Sequence, residues 1–264
     1  MLAARVSDAG GAGAPVTTAP PSSSSATPPP ATFQMSDTQV RDELMTMLVA
    51  GQETSAIALA WCAALLAHHP AAGAAAAAEV DALLGGPGGG ARPPAPGDVG
   101  ALPYLEAVLL EGLRLLPPAY MVGRCAAGGA AGFGDSFSLP PGTTLLVSPW
   151  LLHRSPAAWD RPREFWPERW LPLLIGAPPT GPGGLRCGAA LAGLGANGAY
   201  APFGAGPRVC VGASFAMMEG VLALAAALSA VRFEPVEQGA AFPAAAARIT
   251  LRPEAVRLRL VRRG

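Results

Sequence analysis

The stretch Tyr200 to Ala216 constrains this chain more than any other. It reads Tyr-Ala-Pro-Phe-Gly-Ala-Gly-Pro-Arg-Val-Cys-Val-Gly-Ala-Ser-Phe-Ala. Gly204, Gly206 and Gly212 can take backbone angles closed to other residues, and Pro207 stiffens the turn between them. The apolar run that follows predicts a helix over 213–230, so the chain must turn tightly, present the sulfur of Cys210 and then bury a helix. Free N–H groups and the positive end of the helix dipole lie just beyond that sulfur and favour a thiolate over a thiol.

Two uses fit such a cysteine: a buried structural residue in a loop, or a metal ligand. A zinc site would place a second Cys or His a few residues away, and none is present. One soft anionic ligand without neighbours suits a metal whose other ligands come from a macrocycle, which means haem iron. The spacing Phe-x-x-Gly-x-Arg-x-Cys-x-Gly, carried by Phe203, Gly206, Arg208, Cys210 and Gly212, resembles the haem-thiolate loop of the cytochrome P-450 monooxygenases at every fixed position.

Residues 1–35 are rich in Ala, Gly, Pro, Ser and Thr and hold too little apolar side chain to offset chain entropy, so they read as a disordered segment. A plastid transit peptide and a plain linker both fit that composition. From Ser36 the pattern becomes helical. Ser36, Asp37 and Thr38 offer N-caps, and Val40, Leu44, Met47, Leu48, Ile57, Leu59, Leu65 and Leu66 predict one long helix ended by His69-Pro70. Gly51 sits in its middle, where glycine costs about 1 kcal/mol relative to alanine. One reason is a groove in which a small ligand meets the backbone, with Glu53 and Thr54 supplying a carboxylate and a hydroxyl for proton delivery; another is a helix crossing beside a surface Glu. Ala50-Gly51-Gln52-Glu53-Thr54-Ser55 resembles the oxygen-activation motif of the same family.

Residues 74–84 predict a helix, 85–100 a loop, and 102–115 a second apolar helix stopped by Pro117-Pro118. Glu111 and Arg114 share a face of that helix at a spacing of three. Residues 121–124 predict a strand whose Arg124 could reach an anionic group. Phe137-Ser138-Leu139, the Pro140-Pro141-Gly142 turn and Thr143 to Val147 predict a hairpin. The segment 152–170 is aromatic, proline-rich and aperiodic; it reads as an ordered coil that needs internal partners for its backbone. Within it His153 reads as a satisfied packing histidine. Pro167-Glu168-Arg169-Trp170 resembles the family's meander motif, and the resemblance implies a buried triad of Glu111, Arg114 and Arg169 that locks the coil behind the haem. Val256 to Leu260 alternates with period two, as a half-buried strand does.

The four motifs stand in the family's order over residues 37–261. The resemblance implies a mainly α fold with small β-sheets: the C-terminal portion of the P-450 fold, comprising residues 36–264, with the N-terminal half of the fold absent. It implies haem b held by Cys210, with Phe203, Gly204, Gly206 and Gly212 shaping the loop and Arg208 and Arg124 pairing with propionates. It implies Thr54 and Glu53 in oxygen activation, O2 as co-substrate, a hydrophobic substrate, and electrons from a redox partner, either an NADPH-dependent reductase or a ferredoxin. Half a haem pocket leaves apolar surface exposed, so the isolated chain is expected to bind haem poorly.

Arg41 to Gly51, Leu152 to Pro156 and Cys210 to Glu219 resemble the plant and algal carotenoid ring hydroxylases, although Gln52 replaces the histidine usual there. A plastid location goes with that subfamily and an endoplasmic reticulum membrane with the others. A fatty-acid or other lipid hydroxylase of the same family and a truncated, inactive fragment remain as alternatives. Thr54 argues against a haem-thiolate isomerase that uses no dioxygen. A net charge of zero argues against nucleic acid as the main partner. The cysteines at 62, 125, 187 and 210 form no CxxC pair, which fits a reducing compartment. No uninterrupted apolar run reaches the length of about 18 residues that a bilayer crossing needs, so no membrane span is expected.

Overall fold

Ser36 begins the folded part of the computed structural model, which describes residues 34–86, 92–126, 131–133, 137–179, 181–186 and 198–263. The low-complexity segment expected over 1–35 lies almost wholly outside them. The Ser36 hydroxyl accepts from Gln39 N at 3.3 Å, and Gln39 Oε1 accepts from Ser36 N at 2.9 Å. This reciprocal cap fixes the start of helix α1, Asp37–His68. His69 leaves helical geometry, and Pro70, which has no N–H to satisfy, opens α2, Pro70–Leu84. Helix α3 is Pro103–Leu115. Pro103 stands in its first turn. The Glu79 carboxylate of α2 accepts from Tyr104 N at 2.8 Å and Leu105 N at 3.0 Å. A neighbouring helix thus caps this one, serving N–H groups that have no partner inside it. Burial pushes the Glu79 carboxyl above the usual carboxylate range.

Helix α3 is the centre of the molecule. Every residue from Tyr104 to Leu115 is buried. A Cβ on Gly112 would stand 2.7 Å from Cys62 Sγ of α1. The short helices α4 (Pro149–Leu152) and α5 (Leu171–Ile175) precede the last long one, α6, Ala213–Ala230. A Cβ on Gly220 of α6 would stand 2.5 Å from Leu109 Cδ2. The two glycines therefore let α1 and α6 approach α3 closely. Met217, Val221, Leu224 and Leu228 of α6 join Cys62, Leu66, Leu105, Leu109 and Trp170 in one apolar core. By length and composition α1 and α6 could cross a bilayer, although neither holds the uninterrupted run sought in the sequence. Here α6 packs on its neighbours as a core helix does, but Phe215 in its first turn is 64% exposed, so this helix is not buried throughout.

Among the described residues, four two-stranded antiparallel ladders flank the helices: β1 (Val122–Cys125) with β4 (Thr144–Val147), β2 (Ala131–Phe133) with β3 (Phe137–Leu139), β5 (Val231–Pro235) with β8 (Leu258–Arg262), and β6 (Ala245–Ala247) with β7 (Leu251–Pro253). This corrects the expected hairpin. The turn forms, with Gly142 at φ 82° and Thr143 N donating to Pro140 O at 3.2 Å. The strands it joins pair elsewhere: Phe137 faces Phe133, and Thr144 faces Cys125. Burial along β8 is also less regular than the expected alternation.

Candidate functional site

Cys210 lies at the head of α6 on an exposed loop. Cys210 N donates to Phe203 O at 2.9 Å, Gly204 N to Ala201 O at 3.1 Å, and Val209 N to Gly206 O at 3.0 Å. These bonds close the loop on itself. Gly204 and Gly206 take φ of 75° and 73°. That is the left-handed region, which costs residues with a Cβ energy. Gly212, expected to need the same freedom, does not: its φ is −87°, open to any residue, and it serves as a cap without a side chain.

The surroundings of the sulfur are amphipathic. Phe203 is half-buried against the core, while Val209, Val211 and Phe215 are 52%, 84% and 64% exposed. Arg208 is exposed and makes no hydrogen bond or ion pair among the described residues. Arg124, on β1, is exposed as well, and its guanidinium donates to Gly123 O at 2.8 Å. A lone exposed thiol, apolar side chains around it and an uncommitted guanidinium on the same loop suit a flat apolar ring system with an anionic edge and a thiolate-seeking metal. The loop thus fits haem.

Behind the loop, a buried electrostatic knot fixes its position. Glu111 and Arg114 are both fully buried. Arg114 Nε donates to Glu111 Oε2 at 2.8 Å and Nη2 donates to Oε1 at 2.9 Å. Such a two-pronged pair adds geometric specificity to charge. Arg169 Nε donates to Oε1 at 3.2 Å. Trp166 N and Trp170 Nε1 complete the carboxylate's shell at 3.0 and 2.9 Å. The guanidiniums then reach the backbone of the coil: Arg114 donates to the carbonyls of His153, Pro162 and Glu164, and Arg169 to those of Asp160 and Arg161. Two cations around one anion thereby satisfy carbonyls that no regular structure serves.

His153 links the knot to the cysteine loop. Ala201 N donates to its Nε2 at 2.9 Å, and its Nδ1 lies 3.2 Å from Arg114 O. A nitrogen that accepts cannot carry the proton in a neutral ring, so the proton sits on Nδ1 and faces that carbonyl. Burial lowers the His153 pKa to about 4, so the ring is neutral at pH 7. Tyr200 Oη donates to Leu110 O at 2.8 Å and its ring packs on His153, Trp159 and Trp170. Hydrogen bonds and ring contacts therefore tie loop, coil and α3 together. Sequence reasoning named His153 as a packing residue but missed this bridge, and it missed Tyr200 and the two tryptophan donors. The density of aromatics in 159–170 was the only signal for the two tryptophans, and Tyr200 had none.

On α1, Thr54 Oγ1 donates to Ala50 O at 2.9 Å, and Glu53 Oε1 accepts from Thr250 Oγ1 at 2.9 Å. The groove expected at Gly51 is not formed among the described residues: a Cβ there would meet nothing within 4 Å. The reason is that the first half of α1 packs on no other described element, with Leu44, Leu48 and Val49 at least 60% exposed.

The family model for cytochrome P-450 matches residues 28–258. The chain is 39% identical over 202 residues to cyclooctatin synthase of Streptomyces melanosporofaciens, covering 76% of this chain and 39% of that protein. It is 40% identical over 205 residues to the chloroplastic cytochrome P-450 97B2 of Glycine max, covering 72% and 34%. It is 33% identical over 204 residues to the chloroplastic carotene epsilon-monooxygenase of Arabidopsis thaliana, covering 77% and 34%. A crystal structure of a cytochrome P-450 superposes with a TM-score of 0.69 at 29% identity, over 90% of this chain and 49% of that one. The chain belongs to the cytochrome P-450 family, and it spans between a third and two-fifths of the length of these curated relatives.

Proposed function

We propose that this chain is the haem-bearing part of a monooxygenase that places one oxygen atom of O2 into a hydrophobic substrate, and that the substrate is a carotenoid ring. The observation that carries the reading is the exposed sulfur of Cys210, held at the head of α6 by a loop with positive φ at Gly204 and Gly206. Cys210 would ligate the haem iron, Phe203 and the loop glycines would help to hold the ring, and Arg208 and Arg124 would pair with its carboxylates. When bound, such a haem supplies an iron whose thiolate ligand favours O–O cleavage, so that one oxygen atom goes to substrate and one to water. The buried Glu111 knot holds the loop's backbone still. Thr54 Oγ1 donates a hydrogen bond to Ala50 O and, among the described residues, accepts none, so its lone pairs can accept. The carboxylate of Glu53, next in sequence, can pass a proton. Electrons come from a separate reductase or ferredoxin.

The carotenoid reading draws on Arg41 to Gly51, Leu152 to Pro156 and Cys210 to Glu219, and on the relative named for its action on carotene. The same relatives support a plastid location. The test is turnover of the haem-loaded enzyme with β-carotene or lauric acid under 18O2. One labelled oxygen in a carotene product, abolished by Cys210→Ser, supports the reading. Labelled lauric acid alone moves the substrate to fatty acids, and product without label refutes oxygen insertion.

A further inference from the structure

Thr250 stands 197 positions from Glu53 in sequence, yet its hydroxyl donates to Glu53 Oε1 at 2.9 Å. Thr250 is 7% exposed, whereas Glu53 is exposed. The threonine lies in the turn between β6 and β7, and that turn is anchored on every side. Tyr120 Oη donates to Arg248 O at 2.8 Å, Leu251 N to Pro118 O at 2.9 Å, and Arg248 N to Thr250 O at 3.1 Å. Trp61 Nε1, fully buried, donates to Leu251 O at 3.0 Å. Glu53, Ile57 and Trp61 succeed one another at a spacing of four on α1, so one stripe of this helix carries both attachments to the turn.

We propose that Thr250 is a positioning residue: it fixes the orientation of the Glu53 carboxylate and thereby sets the efficiency of proton delivery. This rests on the role in proton delivery proposed above for Glu53. The physical case is a contrast in freedom. An exposed glutamate on a helix samples several rotamers, and only some of them place its carboxylate on the Thr250 hydroxyl. Oε2 makes no hydrogen bond among the described residues, so Thr250 is the one described group that selects a rotamer. A donor hydroxyl held by a rigid turn, aimed at a carboxylate, gives a charge-assisted bond and leaves Oε2 open to water. The carboxylate can then take a proton from solvent at Oε2 while Oε1 stays anchored. Without the anchor the carboxylate swings away, and the electrons delivered are lost to peroxide or water instead of product.

Two measurements decide the matter. The first uses this chain and needs no haem: a double-mutant cycle of Glu53→Ala and Thr250→Val in urea unfolding. We expect the unfolding equilibrium constant to show a coupling of about three- to tenfold. A coupling below about 1.5-fold overturns the bond. The second uses the haem-loaded enzyme with β-carotene and reports product formed per NADPH consumed. Thr250→Val should lower that ratio about threefold, Thr250→Ser should restore it, and Glu53→Gln should lower it at least as far as Thr250→Val. If Glu53→Gln lowers the ratio and Thr250→Val does not, Thr250 has no positioning role and the proposed function stands. If Glu53→Gln leaves the ratio unchanged, the proton role of Glu53 fails and this inference fails with it.

Discussion

Replacing Glu111 by alanine removes one carboxylate and strands five donors: Arg114 Nε and Nη2, Arg169 Nε, Trp166 N and Trp170 Nε1. Arg114 has no solvent to turn to, being fully buried, and the Arg169 side chain is only 8% exposed. Breaking a buried ion pair from one side costs about 3–5 kcal/mol, because the charge left behind is uncompensated. Each indole or amide N–H left unpaired costs about 1–3 kcal/mol more, although water entering the space of the lost side chain offsets part of this. We therefore expect a loss of about 4 kcal/mol, a large fraction of the roughly 5–15 kcal/mol that holds a domain folded. With an m-value of about 2 kcal/mol/M, the urea midpoint should fall by about 2 M. Near-UV circular dichroism should also weaken under native conditions, since Trp159 and Trp166 lie under the knot's guanidiniums and Trp170 packs at a tilt on Trp159. Asp42→Asn is the control. In the Arg41–Asp42 pair the side chains are 69% and 62% exposed. So exposed a pair contributes little, and its removal should leave the midpoint unchanged. A midpoint shift below about 0.5 M for Glu111→Ala would show that the coil is held by its packing rather than by this carboxylate.

Acid should weaken the fold through His153. Its pKa falls from an ordinary value near 6.5 to about 4. Between those pH values the unfolded chain binds a proton that the folded chain refuses. Stability should drop by about 3 kcal/mol as pH falls through that window, and His153→Gln should flatten that part of the pH–stability curve; an unchanged slope refutes the assignment. Gly112→Ala should destabilise the chain by about 1–3 kcal/mol, as overpacking does, and Cys62→Ala in the same chain should recover most of the loss in thermal melts. The clash responsible is with Cys62 Sγ. Alkylation should separate the thiols. Burial pushes Cys62 up to about 12. Iodoacetamide at mildly alkaline pH should therefore label exposed Cys125 and Cys210 in the native chain and reach Cys62 only after unfolding.

Local grammar was legible without a structure. Ser36 with Gln39, the His69-Pro70 break and the Pro117-Pro118 stop mark helix ends because capping and proline geometry act within a few residues. The spacing of three put Glu111 and Arg114 on one face, because helical periodicity alone fixes it. Cys210 followed by an apolar run announced a sulfur at a helix start for the same reason. Choices between distant partners were not written locally. The turn at 140–142 is compatible with a hairpin and with the observed pairing of its two strands to β2 and β1, and only the neighbours available across space decide between them. The role of Gly51 likewise depends on what packs over α1, not on the helix itself. Arg169 reached Glu111 through a coil with no period to read, and Thr250 reached Glu53 through 197 intervening positions. The sequence by itself determined where helices start and stop and which residues share a face, since those terms are short-range. Tertiary structure decided which carboxylate meets which donor, since burial and hydrogen bonding between remote segments exist only once the core has closed.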